Sequence, residues 1–154
     1  AMTGWRIGWA SGPRELVAAM ARLQSHLTSN PTSISQWAAV EAITGDQTAV
    51  SEMLEAFAAR RDVVLRRLRS MPGVSCGQPM GAFYVFPSVA GVLSDDIATS
   101  DDLATHLIDT ANVVTVPGTA FGRDGFLRIS FAVEIDRLRE ALDRIADSIA
   151  ALGA

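Results

Sequence analysis

From Asp46 onward the apolar residues switch repeatedly between two spacings, and that order limits the folds open to the chain. Val50, Met53, Leu54, Phe57, Val64, Leu65 and Leu68 recur at helical spacing and predict a long amphipathic helix ending near Arg69. Met71-Pro72-Gly73 stops it. Two short strands are predicted at residues 74–76 and 82–86, joined by Gly77-Gln78-Pro79-Met80-Gly81. Residues 101–110 read as a helix with Thr99 or Ser100 available as its cap. Strands follow at residues 113–116 and 126–131, around a glycine-containing loop from Pro117 to Gly125. Ile135, Leu138, Leu142, Ile145, Ile149 and Leu152 make one stripe of a last helix. Helix, two strands, helix, two strands, helix is a complete set for a small α+β domain with helices packed on one face of a short sheet.

Residues 1–45 have a different character. Trp5-Arg6-Ile7-Gly8-Trp9-Ala10 alternates as a strand does, and Ser11-Gly12-Pro13 breaks it. Pro13 suits the first position of a helix running to about Leu27. After the Ser29-Asn30-Pro31-Thr32 loop, a second helix is predicted at residues 33–43, closed by Thr44-Gly45-Asp46. A buried strand needs flanking strands, which this segment does not supply. The expected organisation is therefore a piece of a larger domain at 1–45 and a small C-terminal domain at 46–154. The three tryptophans are expected in a core.

Composition narrows the chemistry. All 13 basic residues are arginine, and there is no lysine in the 154-residue chain. Schiff-base formation needs a primary amine, which a permanently protonated guanidinium cannot supply, and a lysine-dependent phosphate loop is excluded likewise. With 24 alanines beside them, the arginines also fit a GC-rich coding sequence. The net charge of −4 argues against a nucleic-acid or anionic-membrane surface. No apolar run approaches the roughly 18 to 20 residues that span a bilayer. The opening residues lack the pattern of a signal peptide. Cys76 is the sole cysteine, so no internal disulfide and no cysteine-based metal site is expected, and a cytoplasmic location is the default.

Two arginines stand out. In a strand from Trp5 to Ala10, Arg6 shares its face with Gly8 and Ala10, which leaves room for a bulky anion beside the guanidinium. The alternative is an arginine that snorkels to water. In the strand at 126–131, Phe126, Arg128 and Ser130 point one way and Leu127, Ile129 and Phe131 the other. An arginine at the centre of so apolar a strand needs an anion, either a ligand carboxylate or a nearby Asp. His26 and His106 lie on predicted helices without a second ligand at metal spacing. Cys76 is expected to pack as a small hydrophobe. Arg60, Arg61, Arg66, Arg67 and Arg69 read as a solvated face laced with ion pairs, Asp62 lying four residues before Arg66. No Ser-His-Asp set, carboxylate dyad or glycine-rich phosphate loop has supporting context.

The opening segment, Ala1-Met2-Thr3-Gly4-Trp5-Arg6-Ile7-Gly8-Trp9, resembles the stretch after the cofactor lysine in class I, fold-type I aminotransferases dependent on pyridoxal 5′-phosphate, nearest the aspartate aminotransferase branch. The resemblance continues through Ser29-Asn30-Pro31-Thr32-Ser33-Ile34, Gly81-Ala82-Phe83-Tyr84-Val85-Phe86, Val116-Pro117-Gly118-Thr119-Ala120-Phe121-Gly122 and Phe126-Leu127-Arg128-Ile129-Ser130-Phe131. It implies an α/β fold: the C-terminal end of a large cofactor-binding domain followed by the small α+β domain. It implies that Arg6 grips the cofactor phosphate and that Arg128 binds the substrate α-carboxylate. Residues 30–33 resemble a stretch near the subunit interface of the family's homodimer. The Schiff-base lysine, the aspartate at the pyridine nitrogen and the stacking aromatic all belong upstream in this family, so the lysine is expected before Ala1 and the chain alone is expected to be inactive. The implied reaction moves an amino group between an amino acid, aspartate-like or broad, and a 2-oxo acid. A carbon–sulfur lyase of the same fold, or an aminotransferase-like sensor domain of a transcription regulator, remains open. A short interaction module is disfavoured by the unpaired apolar strand it would expose.

Overall fold

The computed structural model describes residues 2–153. The chain divides into two compact units, one up to Ser51 and one from Glu52 onward.

In the first unit, α1 spans Arg14–Leu27 and α2 spans Ser33–Thr44, each within a residue of its expected limits. Pro13 occupies the N-cap of α1 rather than its first helical position. The predicted strand at 5–10 is absent. Thr3–Trp5 form a 3-10 turn, Arg6 turns left-handed, and residues 7–13 have no regular structure. Alternation alone does not make a strand: backbone donors and acceptors need a neighbouring strand, and this unit has none among its described residues. The expectation of buried tryptophans fails for a related reason. Trp5, Trp9 and Trp37 are 46%, 84% and 74% exposed, since so short a segment encloses little volume. Leu16, Met20, Leu23 and Leu27 likewise form an exposed apolar stripe on α1.

Asp46 marks the approach to α3, Thr48–Arg69. Its carboxylate accepts from the Thr48 hydroxyl at 2.8 Å and the Thr48 amide at 3.1 Å, and these bonds hold its carboxyl below the ordinary range. The second unit then adds β1 (Tyr84–Val85), α4 (Ser100–Ala111), β2 (Val116–Pro117), β3 (Leu127–Ser130) and α5 (Ile135–Leu152). The sheet is antiparallel, in the order β1-β3-β2. It has three strands where four were expected. The segment at 74–76 contributes only a bridge from Ser75 to Ser88, and the left-handed Ala82 delays β1 until Tyr84. Pro117, which has no amide proton to give a ladder, lies on an edge strand.

Packing follows the sequence pattern closely. Leu127 and Ile129 of β3, with Phe131 just beyond, are buried with Val85 of β1. Their neighbours in one cluster are Val64, Leu65 and Leu68 of α3, Leu103 and Leu107 of α4, and Leu138, Leu142, Ile145 and Ile149 of α5. The helices thus cover the sheet face to which odd-numbered residues of β3 point. Burying each such side chain stabilises by about 1.5–3 kcal/mol, so this core carries the fold. The α4 start is doubly held: Thr99 and Asp102 form a reciprocal capping box, as the position of Thr99 suggested. At the far end, Asn112 closes α4 in the left-handed conformation.

The arginine-rich face of α3 forms ion pairs, but not the one its spacing suggested. Asp62 pairs with its neighbour Arg61, and Arg67 reaches Asp143 on α5, both at 2.9 Å. Arg69 donates to the Cys76 carbonyl at 3.1 Å. Burial pushes the Cys76 thiol upward, in keeping with a packing residue.

Candidate functional site

Arg128 sits at the middle of the sheet, on the central strand and on the face turned away from the helices. Its register partner is Val116 on β2, while Tyr84 on β1 pairs with Ser130. Tyr84 is therefore diagonal to Arg128 on the same face, within reach of a long side chain. The guanidinium carbon lies over the Tyr84 ring at 4.6 Å and over the Phe121 ring at 4.7 Å. Among the described residues Arg128 has neither a salt-bridge partner nor a side-chain hydrogen bond, and its Nε is buried without an acceptor. The two sources of anion that the sequence left open are thus reduced: no carboxylate among the described residues reaches it. The terminal nitrogens are not buried in this way, so they are the part of the fork that can take a planar anion.

Phe121 comes from a 3-10 turn, Gly118–Phe121, that closes on left-handed Gly122. The turn is tied at both ends. The Gly118 amide donates to the Phe126 carbonyl at 2.7 Å, and the Arg123 amide donates to the Gly118 carbonyl at 2.9 Å. Thr119 donates its hydroxyl proton to Asp101 at the start of α4. Asp124 makes a second tie to α4: it accepts from the Ser100 hydroxyl at 2.7 Å, the Ser100 amide at 2.8 Å and the Gly125 amide at 2.7 Å. These donors, the Ser100 hydroxyl foremost, hold the Asp124 carboxyl below its ordinary value of 3.8. A carboxylate whose folded-state pKa is depressed adds stability that is complete above the unfolded pKa. That stability is lost as pH falls through the folded value. The melting temperature of the native chain is therefore expected to exceed that of Asp124→Asn near neutral pH, with the gap closing below about pH 4. A gap that stays constant from about pH 6 to about pH 3 would detach Asp124 from acid sensitivity.

Arg6 belongs to the first unit and is presented differently from the strand face expected of it. Its backbone is left-handed, φ 51° and ψ 43°, a conformation that costs a non-glycine residue about 1 to 2 kcal/mol. Its Nη1 donates to the Thr3 carbonyl at 3.1 Å, which curls the exposed side chain back over the 3-10 turn. The rest of its fork is free of acidic partners among the described residues. Apart from chain neighbours, no atom lies within 4 Å of where a Cβ on Gly4 or Gly8 would stand, but the strand face expected to hold Arg6, Gly8 and Ala10 together does not form. Ser35 of α2, the one residue of this unit that is buried among those described, donates to the Trp5 carbonyl at 2.9 Å and pins the turn beside Arg6.

Sequence reasoning singled out both arginines but missed Tyr84, Phe121 and Ser35. The two aromatics lie inside quoted motifs, yet nothing in a linear pattern says that their rings converge on one guanidinium. Ser35 carries no signal at all in sequence.

An α+β domain that covers one sheet face with helices and turns an anion-ready arginine outward on the other narrows the families it can come from. Residues 1–145 match the family model for aminotransferase class I and II, and the chain belongs to that family. It is 49% identical over 152 residues to the aspartate aminotransferase of Rhizobium meliloti (strain 1021), covering 95% of this chain and 37% of that protein. The crystal structure of a Rhizobium meliloti aspartate aminotransferase superposes with a TM-score of 0.88 at 48% identity, over 97% of this chain and 39% of that one. The Thermus thermophilus aspartate aminotransferase with maleate gives 0.85 at 40% identity, over 96% and 38%. The chain thus spans about 37% of the length of the curated relatives it matches.

The family's cofactor is pyridoxal 5′-phosphate. The residues present fit part of it. An exposed guanidinium with open flanks, held on a left-handed turn, suits a phosphate group. A chain without lysine offers no side-chain amine for the cofactor aldehyde.

Proposed function

We propose that this chain is the C-terminal part of a pyridoxal-phosphate-dependent aminotransferase: the end of its large domain at 1–45 and its small domain at 46–154. The complete enzyme moves an amino group between an amino acid, aspartate-like or broad, and a 2-oxo acid. The observation that carries this reading is Arg128, a guanidinium without an anionic partner among the described residues, with two rings against it on the outer face of the sheet. When bound, the cofactor supplies the electron sink that amino-group transfer requires. Arg128 takes the substrate α-carboxylate in a paired hydrogen bond and so fixes the direction of the α-C–H bond, an orientational contribution. Arg6 offsets the cofactor's phosphate charge and sets its position. The maleate of the Thermus thermophilus relative supports a dicarboxylate-sized substrate. The amine that engages the cofactor comes from outside these 154 residues. The resemblance of residues 30–33 to a subunit-interface stretch supports a homodimer, and the single cysteine is compatible with a cytoplasmic location.

The complete protein, given an amino acid and an isotope-labelled 2-oxo acid, is expected to deliver the label as a new amino acid. Release of thiol, ammonia and a 2-oxo acid from an S-substituted cysteine without transfer would instead establish the lyase, and specific DNA binding without either reaction the sensor. For the 154-residue chain alone, borohydride treatment with saturating cofactor is expected to leave every internal side chain at its original mass. A pyridoxyl group fixed on one of them would overturn that expectation.

A further inference from the structure

We propose that Tyr84 and Phe121 are positioning residues: together they fix the plane of the Arg128 guanidinium, so that a carboxylate is received only along its edge. This rests on the reading of Arg128 as the carboxylate-binding group. Each ring arrives by an independent route. Tyr84 is placed by the β1–β3 register, one pair away from Val85 and Ile129 in the core. Phe121 is placed by the 3-10 turn that Gly118, Thr119 and Asp124 tie to α4 and to the start of β3.

The Phe121 ring gains from a cation held over its face at 4.7 Å. It is also buttressed: the Phe121 ring meets the Phe86 ring edge-on at 6.0 Å, and Phe86 stacks on Phe126 at 5.0 Å. Arg123 covers Phe126 in turn at 4.4 Å. Tyr84 has a comparable support in Phe83, whose ring centroid is 4.3 Å away. A long arginine stem samples many rotamers in water, and a ligand that must freeze them binds more weakly. Rings that hold the guanidinium beforehand remove that cost, and they take the place that an internal carboxylate would otherwise fill. The arginine stays ordered and still has its terminal donors free.

The test uses the complete enzyme and a nonreacting dicarboxylate, maleate, as probe. Tyr84→Leu and Phe121→Leu are each expected to raise the maleate Kd, and KM for both amino acid and oxo acid, by about two- to fivefold, with kcat falling less than KM rises. Tyr84→Phe and Phe121→Tyr, which keep a ring face, are expected to recover most of that loss. A side chain needed only for folding would instead lower the melting temperature without separating KM from kcat. Leucine variants that bind maleate as the native enzyme does, or ring-keeping variants as weak as the leucine ones, overturn the clamp. Arg128→Lys run in parallel separates the two ideas. If it leaves maleate binding intact, the carboxylate reading fails. If it weakens binding while the leucine variants do not, the clamp alone fails.

Discussion

Arg128→Ala in the complete enzyme is expected to lower kcat/KM for amino donor and oxo acceptor alike by about 10²- to 10³-fold. Removing one partner of a desolvated, hydrogen-bonded charge pair costs roughly 2–5 kcal/mol, and each 1.4 kcal/mol is a factor of ten. On the proposed reading both half-reactions would suffer, because an amino acid and its 2-oxo acid carry the same α-carboxylate. Arg128→Lys keeps the charge but loses the planar fork, so it is expected to fall between the native enzyme and the alanine variant. The melting temperature should change little in either case. Arg128 neutralises no internal carboxylate among the described residues, so its loss strands no partner. Its contacts with Tyr84 and Phe121 contribute only about 0.5–1 kcal/mol each at a partly open site. Steady-state kinetics for both substrates, set beside a thermal melt, give the decision. Unchanged kinetics would remove Arg128 from the site, and a collapse in stability would recast it as a structural residue.

Gly118→Ala is expected to be the most damaging of the conservative changes in the second unit. A Cβ at position 118 would stand 2.0 Å from the Arg123 carbonyl oxygen and 2.8 Å from the Phe126 carbonyl oxygen, both of them backbone. No side-chain rotation relieves such contacts, so the turn itself must open, and overpacking of this kind costs about 3 kcal/mol or more. The hydrogen bonds at stake are the two through which Gly118 closes the loop. The midpoint of urea unfolding should fall with little change in its slope, and the melting temperature should drop by about 10 °C. In molecules that remain folded, Phe121 is displaced from Arg128, so KM for both substrates should rise as well. A variant that melts within about 2 °C of the native protein would mean that the turn yields far more readily than its backbone contacts imply.

The parts of the fold legible in sequence are those set by short-range periodicity. The alternation through Phe126–Phe131 places Leu127, Ile129 and Phe131 in the core and leaves Arg128 outside it. The 3.6-residue stripe of α5 buries Leu138, Leu142, Ile145 and Ile149 as spaced, and Thr99 caps α4. What misled was alternation without a partner. Trp5 to Ala10 has the pattern of a strand, but a ladder is a property of two segments, and the pattern describes only one. The same limit hid the clamp. Whether Arg128 met an Asp or a ligand depended on residues distant in sequence, and its answer lies in a register and a turn rather than in composition. Arg6 was found for its residue type, whereas its left-handed backbone and the Ser35 anchor were invisible. The absence of lysine was the most readable feature of all, since it excludes a chemistry outright.

The two-sidedness of β3 also makes the site sensitive to chain length. Each strand position faces opposite to the next, so one residue deleted between Gly125 and Arg128 would slip the register by a single step. The guanidinium would then be driven beneath the helices and Ile129 would be turned out beside Tyr84. No substitution elsewhere on the sheet could reverse that exchange. Insertions and deletions in this segment are therefore tolerable only in pairs of residues, a constraint on its evolution that no inspection of individual side chains would reveal.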